Sequence, residues 1–413
     1  MMTLSGQRVL VMGLGAFGGG VGCVSWLLGQ DALVTVTDLR IGADLERSLD
    51  AIDQRSCRLV LGQHDVNDFT GADLIVVNPA VPHPWSNPLL MAASKAGVPL
   101  TTEIALLTAQ LDRSRCIGIT GSAGKSTTAS MTHHLLTAGG HHSVLGGNIG
   151  GSLLGNLDEI GPESWVVLEL SSAQLYWLSQ GDGWSPALAG ITNITPNHLD
   201  WHQDESHYRD CKMAIGQFQS AGDTLLHPSD CPPLAPDIML RVLGEHNRAN
   251  AAMAIALAST AAPISPESLN SFTGLPHRLS AVGAHVPPRF IDDSKSTTPE
   301  ATVLAVQSFD DVSRVHLIAG GYDKGISLDA IATLAPQLGR LYTIGATGEH
   351  LAASAGPNST FCGTLEAAIA AATGRMCDGD VLLLSPGCAS WDQFKDYRTR
   401  GEAFRRLVLD GAD

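Results

Sequence analysis

The segment that most restricts the fold is Cys116-Ile-Gly-Ile-Thr-Gly-Ser-Ala-Gly-Lys-Ser-Thr127. Its first five residues predict a buried strand, the glycine stretch a tight turn, and the residues from about Gly124 to Thr137 a helix. A strand–turn–helix of this kind gathers backbone N–H groups and the positive end of a helix dipole at one point, where an anion is the natural ligand. Lys125 would bring positive charge to the outer phosphates of a nucleotide, and Ser126 a hydroxyl for Mg2+. The spacing departs from the strict G-x-x-x-x-G-K-[ST] form, because Thr120 stands four residues before Gly124 and Gly121 follows it. A chance Gly-Lys-Ser-Thr at a helix start is the alternative, and the flanking strand and helix favour phosphate binding.

Short β-branched runs alternate with amphipathic or Ala-rich stretches almost throughout the 413 residues, which predicts parallel α/β units. Strands are expected near 7–12, 33–37 and 73–77, with helices after the first glycine turn and near 87–97. Further strands near 116–120, 164–169 and 187–193 are accompanied by helices near 205–217 and 246–260. A last block has strands near 288–292, 314–319, 340–344 and 380–385, each leading to a helical stretch. The Pro-rich interval 228–236 reads as a loop and Gly274-Leu-Pro-His-Arg278 as a hinge linker, so three α/β domains in series are expected.

Charge and composition narrow the partners. With 25 Lys+Arg against 41 Asp+Glu the chain carries −16, which disfavours a non-specific nucleic-acid or acidic-membrane binder. Val9 to Gln30 holds no charge and superficially suits a membrane span or signal peptide, but glycines 13, 15, 18, 19, 20 and 22 interrupt it and no strongly basic leader precedes it. No membrane span is expected. The eight cysteines show no C-x-x-C and no metal-ligand spacing, and read as reduced and incidental, which suits a cytoplasmic enzyme.

Other strand ends carry polar groups. Gly13-Leu-Gly-Ala-Phe-Gly18, with Asp38 about twenty residues further on, suits a dinucleotide site. Another nucleotide-like ligand suits it as well, and a purely structural turn is the third reading. Glu169, in Val166-Val-Leu-Glu-Leu-Ser-Ser172, ends a buried strand where a carboxylate can ligate a phosphate-bound Mg2+; an ordinary strand-end charge is the alternative. Ile191-Thr-Asn-Ile-Thr-Pro-Asn-His198 ends another. His198, Asp200 and His202 suggest zinc only superficially, since the H-x-x-x-H lacks a zincin's adjacent Glu, and a loop histidine touching Mg2+ or capping is favoured. In the last block, Asp292-Asp-Ser-Lys-Ser-Thr297, Gly320-Gly-Tyr-Asp-Lys324 and Ser385-Pro-Gly-Cys-Ala-Ser390 end three strands, so that edge is expected to face a site.

Taken in order, T-G-S-x-G-K-S-T, E-L-S-S, N-H-L-D, G-E-H-N-R-A-N and G-L-P-H-R resemble the Mur ligase family, the ATP-dependent amide-bond-forming enzymes of bacterial cell-wall synthesis. The likeness runs from the first strand to the last helix. Asp292-Asp-Ser-Lys-Ser-Thr297, Gly320-Gly-Tyr-Asp-Lys324 and Cys388-Ala-Ser-Trp-Asp-Gln-Phe-Lys-Asp-Tyr397 look most like the member that adds D-glutamate. The resemblance implies a Rossmann-like N-terminal domain over 1–110, a P-loop ATPase-like central domain over 111–276 and a Rossmann-like C-terminal domain over 277–413.

It also implies roles. Gly13, Gly15 and Gly18, with Asp38, Arg40 and Asn148, would hold UDP-N-acetylmuramoyl-L-alanine, not a nicotinamide cofactor. Gly121, Ser122, Gly124, Lys125, Ser126 and Thr127 would hold the ATP phosphates, with Asn250, Arg278 and Asp293 toward the adenosine and Lys295 at the γ-phosphate. Ser126 and Glu169 match ligands of one Mg2+ and His198 a ligand of a second. Lys212 matches the lysine that the family carboxylates with CO2, its carbamate positioning that second ion. Thr297, Lys324, Ser390 and Tyr397 match the surroundings of the incoming glutamate. The implied chemistry activates a carboxylate as an acyl phosphate, which the glutamate amine attacks, with domain closure about 274–278 excluding water. A monomer is expected.

Three positions depart from the family pattern: Ala123 where Asn is frequent, Asn78-Pro-Ala for Ser-Pro-Gly, and Tyr397 for Phe. A relative acting with another amino acid such as L-glutamate, a folylpolyglutamate-synthase-like ligase, a nicotinamide oxidoreductase and a non-catalytic nucleotide binder are the competing readings.

Overall fold

The computed structural model describes residues 4–15, 19–195, 197–198, 200–242, 244–283, 289–323 and 325–410. They form three sheets carried by two compact units, Met1–Leu234 with Ala249–Ser268, and Ala235–Arg248 with Leu269–Asp413.

In the first unit, β1 (Arg8–Met12), β2 (Leu33–Asp38), β3 (Arg58–Leu61), β4 (Leu74–Val77) and β5 (Leu100–Thr101) make an all-parallel sheet in the order β3-β2-β1-β4-β5. The second sheet has β6 (Cys116–Thr120), β7 (Ser143–Gly147), β8 (Trp165–Glu169), β9 (Leu188–Ile191) and β10 (Thr224–Leu226), again all parallel, in the order β10-β9-β6-β8-β7. The uncharged run after Val9 folds as β1 and the helix Gly19–Gly29, whose Cys23, Val24 and Leu27 join one apolar core with Val166 and Leu168 of the second sheet and Leu175 of the helix Ser172–Leu178 behind it. No helix among the described residues is long and apolar enough to cross a membrane.

The second unit has β11 (Ser280–Val282), β12 (Phe290–Asp292), β13 (Val315–Gly320), β14 (Arg340–Ile344), β15 (Ser359–Gly363) and β16 (Val381–Leu384), in the order β11-β12-β16-β13-β14-β15. Among the described strands here, only the β11–β12 pair is antiparallel. Side chains alternate across this sheet: Ile291, Leu317 and Leu383 fill one core, and Phe290, Ile318 and Leu382 the other.

Of the described strands, all ten interior ones fall where the apolar runs place them, and the six that the pattern misses are the two edges of each sheet. The reason is burial. Interior β4, β6 and β8 are buried at every position, while edge strands β3, β5 and β10 have no fully buried residue. A strand covered on both faces must be continuously apolar, and an edge strand is released from that demand.

Strand order also creates the site. β6 lies between β8 and β9, with Ile119 beside Glu169 and Thr120 beside Ile191. The loops leaving three strands therefore meet at their carboxyl ends, where strand order reverses and ligands of open parallel sheets bind.

Candidate active site

β6 delivers the loop Gly121-Ser-Ala-Gly124, and Gly124 caps the helix Lys125–Ala138 in the left-handed region at φ 84°. A Cβ on Gly124 would lie 2.3 Å from Asn250 Oδ1, and one on Gly121 2.0 Å from Thr192 Oγ1. Glycine is required at both positions, and Asn250 is placed directly against the loop. Asn193 locks the loop's shape. Its Oδ1 accepts from Ala123 N at 2.9 Å, its Nδ2 donates to Ala123 O at 2.9 Å, and its own carbonyl accepts from Ser122 N at 2.8 Å. The Ser122 hydroxyl donates to Thr195 O at 2.7 Å and lies 2.8 Å from the Tyr208 hydroxyl. Sequence reasoning misses both Asn193 and Tyr208; a polar residue two beyond a buried strand is the only local signal for the former.

The carboxylate of Glu169 is buried and shared. Ser126 Oγ donates to Oε2 at 2.7 Å, and Asn148 Nδ2 donates to Oε1 at 3.1 Å. Asn148, expected at the UDP substrate, thus sits beside the carboxylate at the phosphate loop. Every residue of Glu169-Leu-Ser-Ser172 is engaged. Glu169 ends β8, Leu170 is core, Ser171 forms a capping box with Gln174, and Ser172 Oγ lies 2.9 Å from His202 Nε2. The oxygen-rich pair Ser126 and Glu169 fits a hard divalent cation such as Mg2+. Thr127 follows, half-buried, in the first turn of the helix.

Two lysines converge on the same carbonyl. Lys125 Nζ donates to Gly121 O at 2.9 Å and to Ser122 O at 3.1 Å, and Lys212 Nζ donates to Gly121 O at 2.8 Å. Lys212 is only 2% exposed, and its amine lies 4.8 Å from the centre of the Tyr208 ring. Burial, reinforced by the charge of Lys125, pushes its pKa from 10.5 to about 7. His198 adopts φ 53°, and its pKa is lowered by burial, with Asp200 opposing and both lysines assisting. Residues that sequence spacing separates, Lys125, Glu169, His198 and Lys212, thus belong to one electrostatic neighbourhood around the loop.

At the first sheet, Gly13 (φ 87°) and Gly15 (φ 72°) form the turn after β1, while Gly18 lies outside the described residues. Asp38, at the end of β2, is 5% exposed; its carboxylate accepts from Leu14 N at 3.1 Å and is bracketed by Arg40 Nη2 at 2.9 Å. Burial would raise its pKa, but the Arg40 hydrogen bonds outweigh this and hold it below the usual range. Asn78 Nδ2 donates to Gly13 O at 3.1 Å, between the ends of β1 and β4. Asn at this position therefore braces the turn itself.

In the second unit the three strand-end loops do meet. Asp293 N donates to Leu384 O at 2.8 Å, Gly320 N to Pro386 O at 2.8 Å, Tyr322 N to Ala389 O at 2.9 Å and Gly387 N to Ser296 O at 3.0 Å. Asp293 is buried, accepting from Leu279 N at 3.1 Å and Ser385 Oγ at 2.8 Å, and burial pushes its pKa to about 6. Arg278 lies close enough to oppose that shift. Lys295 Nζ stands 4.0 Å from the centre of the Tyr397 ring. Burial raises the Tyr397 pKa, but the Arg398 hydrogen bond and the Lys295 charge carry it below the ordinary phenol value. Thr297 is half-buried on the β12 loop and Ser390 buried on the β16 loop; Lys324 lies outside the described residues. Arg400, unmarked by the sequence pattern, is 1% exposed and ties Ser294 O (2.9 Å) to Cys388 O (3.1 Å), bracing the two loops.

Three α/β sheets, a phosphate loop with a strand-end carboxylate and a buried lysine describe an ATP-using ligase architecture, and the comparisons agree. Residues 7–102 match the Mur ligase MurD-like N-terminal domain, 119–236 the Mur ligase middle domain and 277–388 the Mur ligase glutamate ligase domain. The chain belongs to the Mur ligase family. Among full-length relatives, a UDP-N-acetylmuramoylalanine–D-glutamate ligase of Koribacter versatilis is 33% identical, with 100% of this chain and 99% of the relative covered. The enzyme of the same name from Roseiflexus sp. is 34% identical over 98% of this chain and 99% of its own length. Among solved structures, UDP-N-acetylmuramate-alanine ligase MurC of Thermotoga maritima shares the fold at TM-score 0.57 and 18% identity, covering 98% of this chain and 100% of its own. A bifunctional folylpolyglutamate synthase/dihydrofolate synthase of Yersinia pestis, complexed with AMPPNP and Mn, gives 0.52 at 16% identity over 74% and 92%.

Proposed function

We propose that this chain joins D-glutamate to the L-alanine carboxylate of UDP-N-acetylmuramoyl-L-alanine, with ATP converted to ADP and phosphate. The observation that carries the reading is the convergence of Lys125, Ser126, Glu169 and Lys212 on one loop in a chain whose full-length relatives bear that name. That a solved ligase of the same fold holds AMPPNP and Mn supports ATP with a divalent cation.

A carboxylate does not acylate an amine in water, so it first takes the γ-phosphoryl group. An acyl phosphate forms and ADP leaves. The amine of glutamate then adds to the acyl carbon, and the tetrahedral adduct collapses to the amide with loss of phosphate and a proton. Gly121, Gly124 and Thr127 would present backbone N–H groups to the phosphates, while Ser122, whose N–H is held by the Asn193 carbonyl, shapes the loop and Lys125 would leave its loop carbonyls to meet them. Ser126 and Glu169 would hold Mg2+, which when bound offsets the repulsion between carboxylate and γ-phosphate.

Lys212 is suited to carbamate formation: its neutral amine would add to CO2 and lose a proton. The resulting anion would sit near His198 as a ligand for a second ion. Gly13, Gly15, Asp38 and Arg40 would receive the uridine diphosphate. In the second unit, Thr297, Lys324, Ser390 and Tyr397 would surround glutamate, with Arg278, Asp293 and Lys295 assigned to the nucleotide. The reaction is placed in the cytoplasm, with the protein acting as a monomer.

The test is phosphate release from ATP by purified protein. Turnover is expected only when UDP-N-acetylmuramoyl-L-alanine and D-glutamate are both present. Equal rates with L-glutamate or meso-diaminopimelate refute the amino-acid assignment, and activity with a folate in place of the UDP sugar refutes the acceptor.

A further inference from the structure

Beside the phosphate loop, but using none of its groups, one cluster among the described residues brings three ligand-type side chains together. His207 and Cys211 lie one turn apart on the helix Glu205–Met213, and His202 stands in the turn leading into it. Their candidate ligand atoms all lie within 4.8 Å of one another. His202 Nδ1 is 3.1 Å from His207 Nδ1, and His207 Nε2 is 3.7 Å from Cys211 Sγ.

A tetrahedral zinc centre with Zn–N of about 2.0–2.1 Å and Zn–S of about 2.3 Å needs about 3.4 Å between two nitrogens and about 3.6 Å between nitrogen and sulfur. Whichever ring nitrogen His207 offers, one of these spacings is already met to within a few tenths of an ångström, and the third ligand, within 4.8 Å, would close on the cation by a side-chain rotation. His202 is also oriented from behind. Its Nε2 lies 2.9 Å from Ser172 Oγ, and donation to that hydroxyl selects the tautomer whose Nδ1 lone pair faces His207.

The walls are aromatic. The His207 ring centre is 4.6 Å from that of Trp85, and the His202 ring centre 4.7 Å from that of Trp201. His202 and Cys211 are buried, and His207 is half-buried. Two imidazoles and the thiolate that Cys211 would become, its thiol proton released to solvent as the cation binds, form a borderline-soft set that favours zinc over magnesium, whose preference is for oxygen.

We propose that His202, His207 and Cys211 form a site for one zinc-class divalent cation, separate from the magnesium position at Ser126 and Glu169. Bound there, the cation would pin the start of the helix that carries Tyr208 and Lys212 to the strand-end turn, ordering the back wall of the phosphate site.

Full-length protein stripped with chelator should take up one Zn2+ per chain in excess Mg2+, followed by chelator competition. Co2+ in its place should give a thiolate-to-cobalt charge-transfer band. Cys211→Ala should abolish that band. Cys211→Ala and His207→Ala should each weaken Zn2+ binding more than about tenfold, the lower bound for loss of a mere outer-shell partner, and Ser172→Ala by about tenfold. Circular dichroism and thermal melting establish that each variant is folded; His207→Ala, at the half-buried position, keeps the test open if Cys211→Ala does not fold. Failure of wild-type protein to bind stoichiometrically, unchanged affinity in a folded Cys211→Ala or His207→Ala, or displacement of Zn2+ by millimolar-class Mg2+ would each overturn the proposal. The first outcome would identify the 3.1 Å contact as a simple histidine–histidine hydrogen bond.

Discussion

The proposed capture of CO2 by Lys212 rests on the burial of its amine and can be measured directly. An ammonium has no lone pair, so only the neutral amine adds to CO2. At the ordinary lysine value of 10.5, about one amine in a thousand is neutral at pH 7.5, whereas at about 7 roughly three in four are. The reactive form is therefore enriched several hundredfold. The difference corresponds to about 5 kcal/mol against the ammonium at this position, from a side chain 2% exposed beside the charge of Lys125. The sign of the stability effect follows. The unfolded chain binds more protons than the folded one between about pH 7 and 10.5, so this lysine makes stability rise with pH across that window. With 13C-bicarbonate, NMR should show one carbamate carbon per chain, growing in as pH passes about 7 and absent in Lys212→Arg. ATP turnover in CO2-stripped buffer should recover on adding bicarbonate. A carbamate signal that survives Lys212→Arg, or none in wild-type protein at pH 8 with saturating bicarbonate, would refute the reasoning.

Three further perturbations probe other parts of the structure. Glu103, hydrogen-bonded by Ser152, has its pKa raised from 4.5 to about 7 by burial, so the folded state holds the extra proton and stability falls as pH rises through that range. Glu103→Gln should therefore match wild type near pH 4.5 and exceed it at pH 8 by about 1–2 kcal/mol, after allowing for partial solvent screening; parallel urea titrations with the same pH slope would contradict this. Gly121→Ala would put a Cβ 2.0 Å from Thr192 Oγ1 at a backbone φ of 150°, and should weaken ATP binding by more than about tenfold in calorimetry while the fold melts cooperatively. Tyr397→Phe keeps the ring 4.0 Å from Lys295 and should leave KM for glutamate within about threefold, whereas Tyr397→Ala loses a cation–π contact of about 0.5–2 kcal/mol and should raise it by about 2- to 30-fold.

Much of the candidate site is legible in the sequence because its residues are bound to local signals. Gly121 to Gly124 sits between an apolar strand and the helix that opens with Lys125 and Ser126, and Glu169 closes a run in which every position of β8 is buried. Asn193 is not legible. Nothing in its neighbours shows that its amide closes on Ala123, because the two are joined only through the pairing of β6 with β9. The contact of Asn148 with Glu169 is hidden for a related reason: the β7–β8 pairing alone places the two side by side.

Sequence alone determined the parallel α/β class, the interior strands, the phosphate loop and the order of the family's motifs, since each is written as a local pattern of apolar runs and glycine turns. Tertiary structure alone decided the edge strands, the sharing of Gly121 O by two lysines and the meeting of His202 with His207 and Cys211. The pKa of Lys212 belongs to the same group. Such properties depend on which groups are withdrawn from water together, and burial is set by strands and helices that are distant in the chain.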